Sequence, residues 1–127
     1  MGSREIGKLG EDLAVKYLRQ RGFRILDRNF EARVGGTKLG EIDIVAKKGN
    51  SLIFIEVKTL ADGKSSFLPE DKINQAKKKS LIKSAEFWLA RNKIPLDYRW
   101  QIDIISVRVD TQKRKAKIFR FPDAISL

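Results

Sequence analysis

Four charged residues interrupt or flank apolar runs where charge is costly: Glu41, Asp43, Glu56 and Lys58. The runs are Ile42-Asp43-Ile44-Val45-Ala46 and Leu52-Ile53-Phe54-Ile55-Glu56-Val57, with Lys47-Lys48-Gly49-Asn50-Ser51 between them. A Gly-Asn pair between β-rich runs is a hairpin signal. A turn centred there pairs residue 48 with 51 and, counting inward, 43 with 56 and 41 with 58. In that register Asp43 faces Glu56 with Cβ atoms roughly 5 Å apart. Strand alternation then puts Glu41, Asp43, Glu56 and Lys58 on one face.

Two facing carboxylates in a mostly buried hairpin repel each other and lose hydration. A cation between them removes both objections. Hard oxygen ligands on rigid strands suit Mg²⁺ or Mn²⁺, which keep positions open for phosphate and water. Lys58, roughly 7 Å further along the same face, can orient or help deprotonate an attacking water and offset charge at phosphorus. The plainer alternative is a Glu41–Lys58 salt bridge, with Asp43 and Glu56 at a solvated sheet end.

The rest of the composition narrows the chemistry. The chain has 127 residues and contains no Cys and no His. That excludes disulfides, thiolate nucleophiles, imidazole bases and His- or Cys-ligated metals, and leaves carboxylates, Lys, hydroxyls and a hard metal. Lys and Arg number 27 against 16 Asp and Glu, a net charge of +11, which attracts polyanions, nucleic acid first. A charged N-terminus and the absence of a membrane-length apolar run point to the cytoplasm, with no membrane partner.

The elements that must position these residues follow from periodicity. Ile6, Leu9, Gly10, Leu13, Ala14, Tyr17 and Leu18 form a helical stripe that ends at Gly22, and Gly10 within it marks a close approach. Glu11 falls at the edge of that stripe beside Gly7, able to reach toward the sheet or to be an ordinary boundary glutamate, while Asp12 points away. Residues 23–33 read as a strand, Gly35-Gly36-Thr37-Lys38 as a flexible basic loop, and residues 60–69 as a polar loop. A long helix is expected from Glu70 to Asn92, with Ile73, Leu81, Ser84, Ala85 and Trp88 inward and Lys72, Lys79 and Lys83 outward. Lys77 falls within the buried stripe, either snorkelling to solvent or reaching the phosphate site. Strands over 99–109 and 116–121 complete a single domain, 1–127, of order αβββαββ: an α/β fold with a mixed central sheet flanked by helices. The near-continuous hairpin runs imply a strand pair covered on both faces.

This arrangement resembles the PD-(D/E)xK nucleases, with an acidic residue on one strand and Glu-x-Lys on the next. More closely it resembles the YraN-like family of small bacterial proteins, similar in fold to archaeal Holliday junction resolvases. The resemblance spans residues 5–109 through Gly7 to Ala14, Gly40-Glu41-Ile42-Asp43, Phe54 to Thr59, Lys77 to Leu81 and Gln101-Ile102-Asp103. It implies a restriction-endonuclease-like fold with Asp43, Glu56 and the Val57 carbonyl as metal ligands. Lys58 becomes the catalytic lysine, Glu11 the helix-borne acid, and Glu41 a further acid beside the metal. Ile42 replaces the nominal Pro, and Gln101-Ile102 replaces an Arg–aromatic pair, which leaves Asp103 a structural role.

The expectation is a Mg²⁺- or Mn²⁺-dependent endonuclease acting on DNA rather than RNA, including branched or junction DNA. Lys77, Arg33, Lys38 and Lys64 are the candidate phosphate contacts. The alternative is a nucleic-acid-binding module of the same fold without efficient turnover. Junction cleavage by analogy implies a homodimer.

Overall fold

The computed structural model describes residues 1–62 and 73–127. Lys64, Pro69, Glu70 and Lys72 lie outside the described residues. Helix α1 (Ser3–Gln20) precedes strands β1 (Arg24–Val34), β2 (Thr37–Lys48) and β3 (Ser51–Ala61), followed by helix α2 (Gln75–Arg91) and strands β4 (Trp100–Asp110) and β5 (Lys115–Phe121). This is the expected αβββαββ order. One five-stranded sheet runs β1-β2-β3-β4-β5. Its first three strands form an antiparallel meander, β3 and β4 are parallel, and β5 returns antiparallel. The parallel step needs a crossover, and α2 lies on it.

Each helix buries its stripe on one sheet face. Ala14, Val15 and Leu18 of α1 pack with Ile44, Ile53, Ile55, Ile105 and Val107. Leu81, Ala85, Trp88 and Leu89 of α2 pack with Ile42, Val45, Leu52, Phe54 and Ile102. Phe54 takes Trp88 and Trp100 edge-on, at centroid distances of 5.6 and 5.5 Å. Phe54 and Ile55 thus bury opposite faces of one strand, which explains the unbroken apolar run.

Three boundaries differ from the sequence reading, one of them at β3, which runs through Leu60 and Ala61 where a loop is expected. Gly35-Gly36 is no loop: both residues have positive φ, 55° and 83°, and they close β1 onto β2 as a tight two-residue turn, a geometry that favours glycine. Helix α2 starts at Gln75, where Asn74 caps it: its side chain accepts the Lys77 amide at 2.8 Å; the expected start at Glu70 lies outside the described residues. Ile73 therefore precedes the helix, while Leu89 joins the buried stripe.

Gly10 makes the expected close approach. A Cβ at that position would overlap the Thr59 side chain. Gly10→Val is expected to lower stability by about 1–3 kcal/mol, the cost of overpacking. Thermal melting with and without Thr59→Ala checks this, since the second change should recover part of the loss.

Candidate metal and nucleic-acid site

The site is built where two paired strands part company. β2 and β3 pair from Lys48–Ser51 to Ile44–Ile55 in the expected register, and among the described residues the ladder goes no further. Beyond that point β2 continues beside β1 to Thr37, and β3 beside β4 to Ala61. The pairing of 43 with 56 and 41 with 58 is therefore replaced by a fork. Each arm is held by a different helix, α1 reaching β3 where Gly10 meets Thr59, and α2 reaching β2 where Gly40 lies under Ser80 and Ser84.

A break in β1 redirects the acidic strand. β1 pairs Arg28 with Ile44 and Phe30 with Ile42, and between them Asn29 takes a left-handed φ of 54°, which asparagine tolerates better than most residues. Ile44 packs in the α1 layer and Ile42 in the α2 layer. Alternation thus fails across Asp43, and Glu41, between Gly40 and Ile42 of the α2 layer, does not share the face of Glu56 and Lys58 as simple counting predicted.

Asp43 turns its carboxylate across the fork and accepts the Val57 amide at 2.7 Å. It is buried, 8% exposed. Burial first, and the Glu56 charge second, push its pKa up to about 8; the Val57 amide opposes this, while Glu11 and a hydrogen bond with Glu56 add to it. The N–H and C=O of one strand residue face the same neighbour, so the Val57 carbonyl also opens on the fork.

Glu56 is met from above by α2. Its Oε2 lies 3.1 Å from Lys77 Nζ, and Glu56 is the more buried partner. Of the two readings of Lys77, the one that takes it toward the site is the observed one. Lys58 is exposed, one strand repeat beyond Glu56, and makes no ion pair among the described residues. Glu11 is half-buried on α1, and burial raises its pKa; Arg28 opposes the rise, while Glu41, Asp12 and Glu56 add to it. Gly7 leaves open space beside it.

Other predicted residues stand apart from this group. Glu41 does not pair with Lys58. It faces Glu31 across β1–β2 and holds Lys38 at 3.0 Å. Glu31 in turn holds Lys38 at 3.4 Å and Arg33 at 3.1 Å, so both predicted phosphate contacts on this arm are tied to carboxylates. Asp12, expected to point away, is exposed but turns to the sheet edge, pairing with Arg28 of β1 at 2.7 Å and with Lys8 at 3.7 Å. Asp103 is fully buried and bonds Arg120 at 2.7 Å, the Gln101 side chain at 2.8 Å and the Asp123 amide at 2.9 Å. That is a structural clasp on the segment after β5, and Gln101 serves it.

Arg28 was not among the predicted site residues. Its charge opposes the rise in the Glu11 pKa, and with Arg4, Gly7, Lys8, Glu11 and Asn29 it lines an open cavity of about 440 Å³. Nothing in the sequence near Arg28 marks it; only the packing of β1 beside α1 brings it to Glu11. Among the described residues no three acidic side chains gather closely enough to hold an ion by themselves. No described helix is long and apolar enough to cross a membrane.

Comparison with known proteins agrees on kinship. The model of the uncharacterised protein family UPF0102 matches residues 10–107. A UPF0102 protein of Caldicellulosiruptor saccharolyticus is 37% identical over 112 residues, covering 88% of this chain and 89% of the relative. One of Dictyoglomus thermophilum is 40% identical over 107 residues, covering 84% and 85%. Among solved structures, an fdxN element excision controlling factor protein from Anabaena variabilis is similar at TM-score 0.41 and 18% identity, covering 90% of this chain and 98% of that one, a likeness too distant to say what this chain does. The chain belongs to family UPF0102, the YraN-like family that its motifs resemble.

Proposed function

We propose that this protein is a divalent-metal-dependent endonuclease that hydrolyses DNA phosphodiesters, including those of branched or junction DNA. One observation carries the reading: Asp43, buried beside Glu56, turns its carboxylate across the fork to the Val57 amide at 2.7 Å, where burial and the Glu56 charge raise its pKa to about 8. The donor set fits a hard ion. Asp43, Glu56 and the Val57 carbonyl would hold Mg²⁺ or Mn²⁺, with Glu11 near them and Glu41 further out on its arm. A bound ion of this kind supplies positive charge that offsets the carboxylates and polarises a phosphodiester. With two carboxylates and one carbonyl from the chain, positions remain for water and substrate oxygens.

The chain's own residues divide the remaining work. Lys58, exposed and unpaired among the described residues, orients water and balances charge developing on the phosphate. Lys77 neutralises Glu56 before substrate arrives and lies close enough to meet a phosphate afterwards. Arg33, Lys38 and Lys64 remain candidate contacts to the nucleic-acid backbone. A homodimer in the cytoplasm, cutting both strands of a junction, completes the proposal.

A second reading has one observation in its favour. The Lys77–Glu56 pair at 3.1 Å gives the site an internal cation, which suits a nucleic-acid-binding module that does not turn over. A panel of labelled linear, flapped and four-way DNA and RNA, each with Mg²⁺, Mn²⁺ or EDTA, separates the two. Metal-dependent cleavage of any DNA supports the enzyme; tight binding without cleavage supports the module.

The net charge of +11 makes a prediction common to both. Affinity for DNA should fall with salt at a log–log slope of magnitude about 3 or more, as several phosphate contacts require. A titration between low and physiological salt that gave a flat response would show that the charge does not serve nucleic acid.

A further inference from the structure

We infer that the sheet face bearing Glu56 and Lys58 continues across β4 and β5 as a docking surface for an unpaired nucleobase, with Phe119 as its stacking platform. The inference rests on the nucleic-acid reading above and narrows its substrate to DNA that presents a single-stranded segment beside the cleavage site.

The register carries it. Lys58 pairs with Ser106 and Ser106 with Phe119; Leu60 pairs with Arg108 and Arg108 with Lys117. Residues directly paired across a sheet point to the same face. Alternation agrees, because Val57, Ile105, Val107 and Ile118 all pack in the α1 layer. Lys58, Ser106 and Phe119 therefore form one row on the opposite face, with Arg108 and Lys117 in the next. Two strand spacings put Phe119 about 10 Å from Lys58.

The chemistry of the row suits a nucleotide. Phe119 is 45% exposed on an edge strand, and its neighbours are cations. Arg108 lies over the ring, 5.7 Å from its centroid. Among the described residues Lys58, Arg108 and Lys117 have no carboxylate partner. Ser106, 1% exposed, forms the covered floor between Lys58 and Phe119, and among the described residues neither its hydroxyl nor Arg108 Nε has a hydrogen-bond partner. Buried polar atoms left unsatisfied are uncommon in folded proteins. An aromatic ring set among unpaired cations binds single strands by stacking and backbone attraction together. A second copy of the chain fits less well, since Lys115 and Lys117 on β5 guard that edge against strand addition.

The test is binding in EDTA, where no cleavage complicates the readout. Phe119→Ala should lower affinity for oligo(dT) by about tenfold or more, the loss of one stacked base, and leave affinity for a blunt duplex nearly unchanged. Phe119→Trp should keep the affinity and show fluorescence quenching on binding; Trp88 and Trp100, packed on Phe54, supply an unresponsive background. Unchanged single-strand affinity in Phe119→Ala, or equal losses on both DNAs, overturns the inference. So does a loss of self-association in place of DNA binding, seen by sedimentation. Phe119-dependent single-strand binding by a protein that never cleaves would retain this surface and retire the endonuclease.

Discussion

Lys58→Ala is expected to cut metal-dependent cleavage by about 10²–10³-fold, the scale of losing one charge-stabilising group at a reacting centre, and to leave DNA affinity within a small factor of the parent. The two effects separate because Lys58 is one of 27 basic residues. Removing a single phosphate contact costs little binding, whereas no other basic residue follows Glu56 on the central strand. Lys77 does not replace it, being held by Glu56 from α2. Lys58→Arg keeps the charge and loses the compact ammonium, so it should bind DNA like the parent and recover little turnover. Single-turnover cleavage and filter binding measure the two quantities on the same preparations. Full activity in Lys58→Ala would remove this residue from the reaction.

The second large effect concerns the metal-free protein. The folded pKa of Asp43, about 8, lies above the unfolded value near 3.9. Between those values the folded chain binds a proton that the unfolded chain has lost. The stabilisation is fully present below about pH 4 and is lost as the pH rises through about 8, with a slope of at most about 1.4 kcal/mol per pH unit. Glu11, whose pKa is also raised, adds with the same sign. The lowered carboxyls, Asp12 and Glu31, act with the opposite sign and only as the pH falls below the ordinary carboxylate range. In EDTA the parent should therefore melt progressively lower from pH 5 to 8. Asp43→Asn, which keeps an oxygen for the Val57 amide, should flatten that decline and melt above the parent at pH 9. Added Mg²⁺ or Mn²⁺ should raise the parent's melting temperature, more so at higher pH where the carboxyl is ionised, and leave Asp43→Asn unmoved. A parent whose melting responds to neither pH nor metal would end the metal-site reading.

Much of this was readable in the chain. The Gly49-Asn50 turn determined the β2–β3 register because a two-residue hairpin leaves no freedom in counting, and Ile44–Ile55 pair as that count requires. The α1 stripe, the close approach at Gly10 and the inward Lys77 follow from helical spacing alone. Counting failed one residue further on, at Asp43. The cause lies in another strand: Asn29 at positive φ breaks the alternation of β1, and a single asparagine in a β-rich run announces no such break until its partner strand is known. Gly35-Gly36 did carry a readable hairpin signal; the basic residues around it suggested a loop instead. The start of α2 at Gln75 reflects a local feature that periodicity does not see, the Asn74 cap.

The break at Asn29 also divides the β1–β2 hairpin into a base and a cassette. Between Asn29 and the Gly35-Gly36 turn the two strands are set off from the base by the inversion at Asp43, and their register shifts once more between Ala32 and Arg33. Paired residues added at the tip, one on each strand, would lengthen the cassette and leave Asp43 against Val57. A single residue inserted between Ile42 and Ile44 would rotate the carboxylate out of the fork. Length variation in this hairpin is therefore tolerable at its tip and forbidden at its waist, which makes the tip the place to graft a new nucleic-acid contact without disturbing the chemistry beneath it.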